Sequence, residues 1–165
     1  MSDARRFLES LLQVAIAAAH PRACLVPALP VPPPAPGRVV MLAAGKAAGS
    51  MMEGAEAHYL DHHRLPPDRL TGVGVARHGY GRPTRVVPVV EAGHPVPDAA
   101  GLAAAEKALA LAGAAKDNDL VIALLSGGAS ANWIAPAPGI TLAEKQAVTR
   151  ALLRSGAGIG EINTL

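Results

Sequence analysis

Apolar positions fall along the chain in two rhythms. Phe7, Leu8, Leu11, Leu12, Ala15 and Ile16 recur at helical spacing, which predicts a helix over 3–20 that Asp3 caps and Pro21 stops. Further on come short, nearly unbroken apolar runs: Arg38–Ala44, Leu70–Ala76, Arg85–Val90 (interrupted by Pro88) and Asp119–Leu125, the clearest of them. Runs that are apolar on both faces suit strands covered above and below. Between them the pattern predicts helices over 46–63 and 98–113, the second opened by Pro97-Asp98 and ended by Gly113. A last helix is predicted over 141–155, with Thr141 as cap and Glu144 in the capping-box position. Residues 26–37, VPALPVPPPAPG, hold six prolines and predict a stiff, extended surface connector.

Apolar strands alternating with helices predict an α/β fold: three layers, α/β/α, around a mainly parallel, Rossmann- or flavodoxin-like sheet. At 165 residues, half of them apolar, the chain has material for one core. Residues 156–165 do not read as an ending, because Ile159 and Ile162 are apolar and no polar tail follows. The expectation is therefore a truncated domain.

Composition narrows the function classes. The formal net charge is +2, the basic residues are scattered, and aromatic residues make up 2% of the chain. Neither a basic patch nor a stacking platform for nucleic acid is expected. No apolar run approaches the length that spans a bilayer, and the amino-terminal residues do not resemble a secretory signal, so a cytoplasmic protein without a membrane partner is expected. The single cysteine, Cys24, allows neither an intrachain disulfide nor a thiolate metal site, and it reads as a small buried hydrophobe.

In parallel sheets ligands bind beyond the carboxyl ends of the strands, so the loops after residues 44, 76, 91 and 125 are where chemistry is expected. Gly45-Lys46-Ala47-Ala48 joins a strand to a helix. The helix start offers N–H groups to an anion, and Lys46 adds a mobile positive charge. It is not a Walker A loop, since Val40 stands where the first glycine belongs and Ala47 follows the lysine. On spacing alone, a phosphate site and a plain helix start with a solvated lysine are equal readings. Glu91-Ala92-Gly93-His94-Pro95-Val96-Pro97-Asp98 places Glu91 at a strand end and His94 in the loop, with Asp98 as the next helix cap. Two such residues do not make a metal site, and no metal ligands are identified.

Ser126-Gly127-Gly128-Ala129-Ser130 follows the strongest strand. Paired glycines between hydroxyls suit a nest of backbone donors for phosphate oxygens, set against a plain Gly-rich turn. A hydrolase elbow is excluded because Leu124 occupies the position of its first glycine. His58, His62 and His63 read as a surface helix end, and Trp133 as either packed or stacked on a ligand.

Taken in order, Ala44-Gly45-Lys46-Ala47-Ala48, Glu91 to Asp98, Leu125-Ser126-Gly127-Gly128-Ala129-Ser130, and Ser155 to Thr164 with its Glu161-Ile162-Asn163 core resemble the motifs of the glycerate 2-kinases, some of whose members are labelled hydroxypyruvate reductases. The resemblance implies transfer of the γ-phosphoryl group of ATP, with Mg2+, to the 2-hydroxyl of D-glycerate. It also implies two α/β domains with the active site in the cleft between them, residues 1–165 being an incomplete amino-terminal domain. On that view Lys46 is catalytic and Gly45, Ser126, Gly127, Gly128, Ala129 and Ser130 bind nucleotide phosphates. Glu91, Gly93, His94, Glu161 and Asn163 then serve substrate or cleft.

The chain departs from the pattern in Asn132-Trp133-Ile134, and it stops before the family's Arg-Lys stretch. The chain alone is therefore expected to phosphorylate glycerate negligibly. Three alternatives stand beside this reading. One is a sugar-phosphate isomerase or lactonase. Another is a hydroxypyruvate reductase, against which the missing dinucleotide fingerprint weighs. The third is a non-catalytic fragment that associates with itself as a homodimer.

Overall fold

The computed structural model describes residues 3–164. Helices are α1 Asp3–Ala19, α2 Pro21–Cys24, α3 Ala48–Ala57, α4 Ala99–Gly113, α5 Ala129–Asn132, α6 Leu142–Ser155 and α7 Ile159–Ile162. Strands are β1 Val39–Ala44, β2 Leu70–Arg77, β3 Val89–Ala92 and β4 Leu120–Leu125. The four strands form one sheet in the order β3-β2-β1-β4, and each pair is parallel. Val39 of β1 aligns with Leu70 of β2 on one side and Leu120 of β4 on the other.

The sheet divides the core in two. On one face Val39, Met41 and Ala43 of β1 pack with Met51, Met52, Ala55 and Tyr59. On the other, Val40, Leu42, Val73 and Val75 pack with Ala104 and Ala108 of α4, and Trp133 seats against this cluster, so the indole is packed. A fully buried strand needs apolar side chains on both faces, and every residue of β1 is buried. The expected three-layer α/β architecture is therefore present.

Several elements begin where local signals place them. Asp98 caps α4 by accepting from Gly101 N at 2.9 Å. Thr141 and Glu144 form the capping box of α6. Other elements depart from expectation. The 26–37 connector is not wholly extended, since Val26–Ala28 forms a 3-10 turn. The predicted strand over 85–90 starts later, at Val89. The backbone N–H groups of Arg85, Val86 and Val87 are given instead to the buried carboxylate of Glu56, at 2.6, 2.7 and 2.9 Å, and Pro88 has no N–H. The helix predicted over 46–63 is α-helical only from Ala48 to Ala57, and then widens into a π-turn at His58–His62.

Cys24 is exposed, contrary to the expected buried hydrophobe, with its Sγ 3.4 Å from Ala19 O. It lies on the four-residue α2, too short to bury a face. The apolar residues of α1 do not find a core either: Phe7, Leu8, Leu11, Leu12 and Ile16 are all at least half exposed. Among the described residues no single helix is long and apolar enough to cross a membrane, although α1 and the segment Pro21–Ala28, bent by 54°, meet that test together.

Asp119 fixes the entry to β1 and β4. It accepts from Arg38 N at 2.8 Å, from the Arg38 guanidinium at 2.7 Å and from Lys116 N at 3.0 Å. The Arg38 guanidinium first, then the two backbone donors, hold its carboxyl well below the usual carboxylate range. A depressed folded-state pKa contributes stability that is complete above the unfolded value of about 4 and is lost as pH falls through and below it. Denaturant midpoints should therefore drop between pH 6 and pH 3 in the wild type. In Asp119→Asn the midpoint should start lower and vary less over that range.

Candidate functional site

The order β3-β2-β1-β4 changes direction between β1 and β4, since β1 is flanked by the next strand on one side and the last on the other. At such a point the loops leaving adjacent strands diverge to opposite faces and open a crevice at the carboxyl ends. Here those loops are Gly45–Ala47 and Ser126–Gly128.

They are tied together by short bonds. Lys46 N donates to Gly127 O at 2.9 Å, Ala47 N donates to Ser126 Oγ at 2.9 Å, and Ser126 N donates to Ala44 O at 3.0 Å. Gly45 makes this approach feasible. It has φ +109°, and a Cβ on it would stand 2.4 Å from Ser126 O. At the entry to α3, Lys46 N and Ala47 N are consequently taken by the facing loop and Ala48 N by Gly45 O at 3.1 Å, while Gly49 N and Ser50 N have no acceptor among the described residues. On the other loop Gly127 N and Gly128 N likewise have no protein acceptor among the described residues. The N–H groups of Lys46 and Ala47 themselves are not free, because the carbonyl of Gly127 and the hydroxyl of Ser126 have taken them.

A cleft of about 650 Å3 opens beside this junction. Lys46, His94, Gly128, Ser130 and Asn163 line it, with Lys145 and Thr149 of α6 opposite, and Val148, Leu152 and Ile162 form an apolar wall. The lining carries two lysines and no carboxylate, so it favours an anion. His94 packs directly on Gly128, whose φ is +86°: a Cβ there would lie 2.7 Å from His94 Nε2 and 3.6 Å from Lys46 Cε. Burial, then Lys46, then Arg77 push the His94 imidazole below its ordinary value, so it is neutral at neutral pH. Gly128→Ala should cost about 1–3 kcal/mol from the left-handed backbone alone. It should also displace His94, which equilibrium unfolding and a titration with inorganic phosphate would register together.

Lys46, Gly128, Ser130, His94 and Asn163 are therefore brought to one cleft, and the other residues singled out in the sequence lie elsewhere. Ser126 faces Ala47 as the latch between loops. Glu91 points into the loop after β2, accepting from Gly79 N at 3.0 Å and Gly81 N at 2.9 Å, which hold its carboxyl below the usual range. Gly93 N is bound by Asp98, and Gly93 O accepts from the fully buried Asn132. Glu161 caps α7 through Gly158 N at 2.8 Å.

Two cations were missed. Arg77 ends β2 with its guanidinium 3.6 Å above the Tyr80 ring and its buried Nε unpartnered, close enough to depress His94. Lys145 reaches the cleft from α6. The strand-end rule pointed to the Arg77 loop, whereas Lys145 has no local signal, because only the return of α6 to the cleft gives it a role.

A family described as "Domain of unknown function (DUF4147)" matches residues 7–165. A protein of Agrobacterium vitis, provisionally named a hydroxypyruvate reductase, is 40% identical over 99% of the chain and 35% of its own length. A glycerate 2-kinase of Pyrococcus horikoshii is 40% identical over 78% of the chain and 28% of its own length. The crystal structure of a glycerate kinase from Thermotoga maritima superposes with a TM-score of 0.72 at 34% identity, covering 94% of this chain and 36% of that one. The chain thus spans about a third of the length of these relatives.

Proposed function

The chain belongs to the DUF4147 family, whose relatives include glycerate 2-kinases, and from that premise we propose that it forms the nucleotide-phosphate half of a glycerate 2-kinase active site. The observation that carries the reading is the junction of the Lys46 and Ser126–Ser130 loops at the switch between β1 and β4. There Gly128, whose amide is unpartnered, and Lys46 line a cleft without carboxylates, with the unpartnered amide of Gly127 next to it in the loop.

Phosphoryl transfer asks a protein mainly for positioning and for neutralising charge on non-bridging oxygens. The residues fit the triphosphate of ATP. Gly127 N and Gly128 N would donate to phosphate oxygens, Ser130 would add a hydroxyl, and Lys46 Nζ would follow the transferred group. Mg2+ would supply further neutralisation when bound. With no carboxylate in the cleft lining, it would be held by phosphate and water and not by this chain. Lys145 and Asn163, which line the same cleft, would orient the D-glycerate carboxylate and hydroxyls. Reduction of hydroxypyruvate draws no support from the site, because the glycine fingerprint and ribose-binding acid of a dinucleotide site are missing from the sequence.

Thermal unfolding of the chain with ATP–Mg2+, set against NADH, tests the reading. Stabilisation by ATP–Mg2+ that grows with concentration is expected, and none by NADH. Because the relatives are about three times longer, ADP release with D-glycerate by this chain alone should be negligible. Turnover near that of a full-length relative would contradict the two-domain reading.

A further inference from the structure

The π-turn at the end of α3 builds a second site, remote from the cleft. His63 N donates to His58 O at 3.1 Å, closing the wide turn. Five residues apart on a regular α-helix, two side chains point about 140° away from each other. The extra residue in this turn swings them together, so that His58 Nε2 and His63 Nε2 stand 3.1 Å apart. A helix rarely widens in this way, and where it does the turn is frequently a functional one. His62, exposed, stacks on His58 with ring centroids 5.4 Å apart.

We propose that His58 and His63 form a two-imidazole site for a transition-metal dication of the Zn2+, Ni2+ or Cu2+ class. Metal–nitrogen bonds of about 2.0–2.1 Å drawn to two nitrogens at the observed separation meet at roughly 100°, between the angles of square-planar and tetrahedral coordination. In the protein alone the two nitrogen lone pairs cannot face each other, so one ring carries its hydrogen on Nε2 and donates to the other. On binding, that hydrogen moves to Nδ1, both rings present a lone pair, and no net proton is lost. Burial first, then His63 and His62, push the His58 imidazole below its ordinary value, so protons compete weakly at neutral pH.

The surroundings permit a cation. Asp61 is committed to Arg85 at 2.8 and 3.0 Å, and Arg22, across an adjoining hollow of about 600 Å3, is paired with Glu53 at 3.4 Å. Among the described residues no group of three or more His, Cys, Asp or Glu is arranged to hold an ion, so the remaining coordination positions fall to water. Mg2+ prefers oxygen ligands and would not compete. The hollow and the cleft share no lining residue, so the proposal stands apart from the phosphoryl-transfer reading.

Calorimetric titration of the full chain with Zn2+ and Ni2+ tests it, beside His58→Ala, His63→Ala and His62→Ala, with circular dichroism confirming that each variant is folded. One equivalent of metal should bind to the wild type. Either His58→Ala or His63→Ala should weaken binding at least about tenfold, His62→Ala should weaken it much less, and Mg2+ should not bind there. If His58→Ala does not fold, His63→Gln, altered just beyond the π-turn, decides the matter together with His63→Ala. Absence of wild-type binding, binding unaffected by changing His63, or a loss on His62→Ala as large as the others would overturn the assignment.

Discussion

Replacing Lys46 with alanine is expected to weaken binding of ATP–Mg2+ to the chain by about 10- to 100-fold, the worth of one hydrogen-bonded charge on a phosphate. The fold should survive the change. Lys46 is joined to the opposite loop by its backbone N–H to Gly127 O, not by its side chain, and no carboxylate among the described residues pairs with its ammonium. Lys46→Arg keeps the charge but replaces a mobile ammonium with a wider planar fork, so it should recover only part of the affinity. Nucleotide titration by calorimetry, with unfolding midpoints run in parallel, separates lost binding from lost structure. A substantial drop in stability of Lys46→Ala would assign the side chain a structural role instead.

The largest expected effect on stability is at Glu56. Its side chain is 3% exposed and accepts three consecutive backbone donors, from Arg85, Val86 and Val87. Glu56→Ala leaves those donors without acceptors, Val87 N in a buried setting and Arg85 N and Val86 N in part-buried ones, and should cost about 3 kcal/mol, lowering Tm by roughly 10 °C in a chain of this size. Glu56→Gln retains one oxygen for Val86 and Val87 but turns an amide N–H2 toward Arg85 N, so it should fall between the two. Chemical denaturation of the three proteins gives the ranking. If alanine and glutamine proved equally mild, the carboxylate would not be what holds the segment before β3.

These two residues mark what could and could not be read from sequence. Lys46 was legible because it follows a doubly apolar run and a glycine, and the position of a strand's carboxyl end is itself a prediction about function. Asp98, Thr141 and Glu144 were legible for a local reason, since a cap and the donors it satisfies lie within three residues of each other. Glu56 was not: its partners lie 29 to 31 residues away, and the same contact delays β3 to Val89. The π-turn that joins His58 to His63 has no sequence signature, and the three histidines looked like an ordinary helix end.

The candidate site divides in the same way. The Ser126–Ser130 loop was legible as a place, but the division of labour within it was not. Ser126 holds the two loops together, while Gly128 and Ser130 face the cleft. Glu91 looked like a cleft residue because it ends a strand. Its carboxylate turns away to Gly79 and Gly81, whose loop carries no hint of needing it. Arg77 and Lys145 enter the picture only once the sheet order and the return of α6 are known.

The most direct test of the account is an amide-resolved NMR titration of the chain with ATP–Mg2+. Gly127, Gly128 and Ser130 should show the largest amide shifts, with the Gly45–Ala48 turn moving in concert through its bonds to the same loop, and Lys46→Ala should shift the titration to about 10- to 100-fold higher nucleotide. Saturable binding whose shifts fall elsewhere, or no response at these amides at millimolar nucleotide, would contradict it.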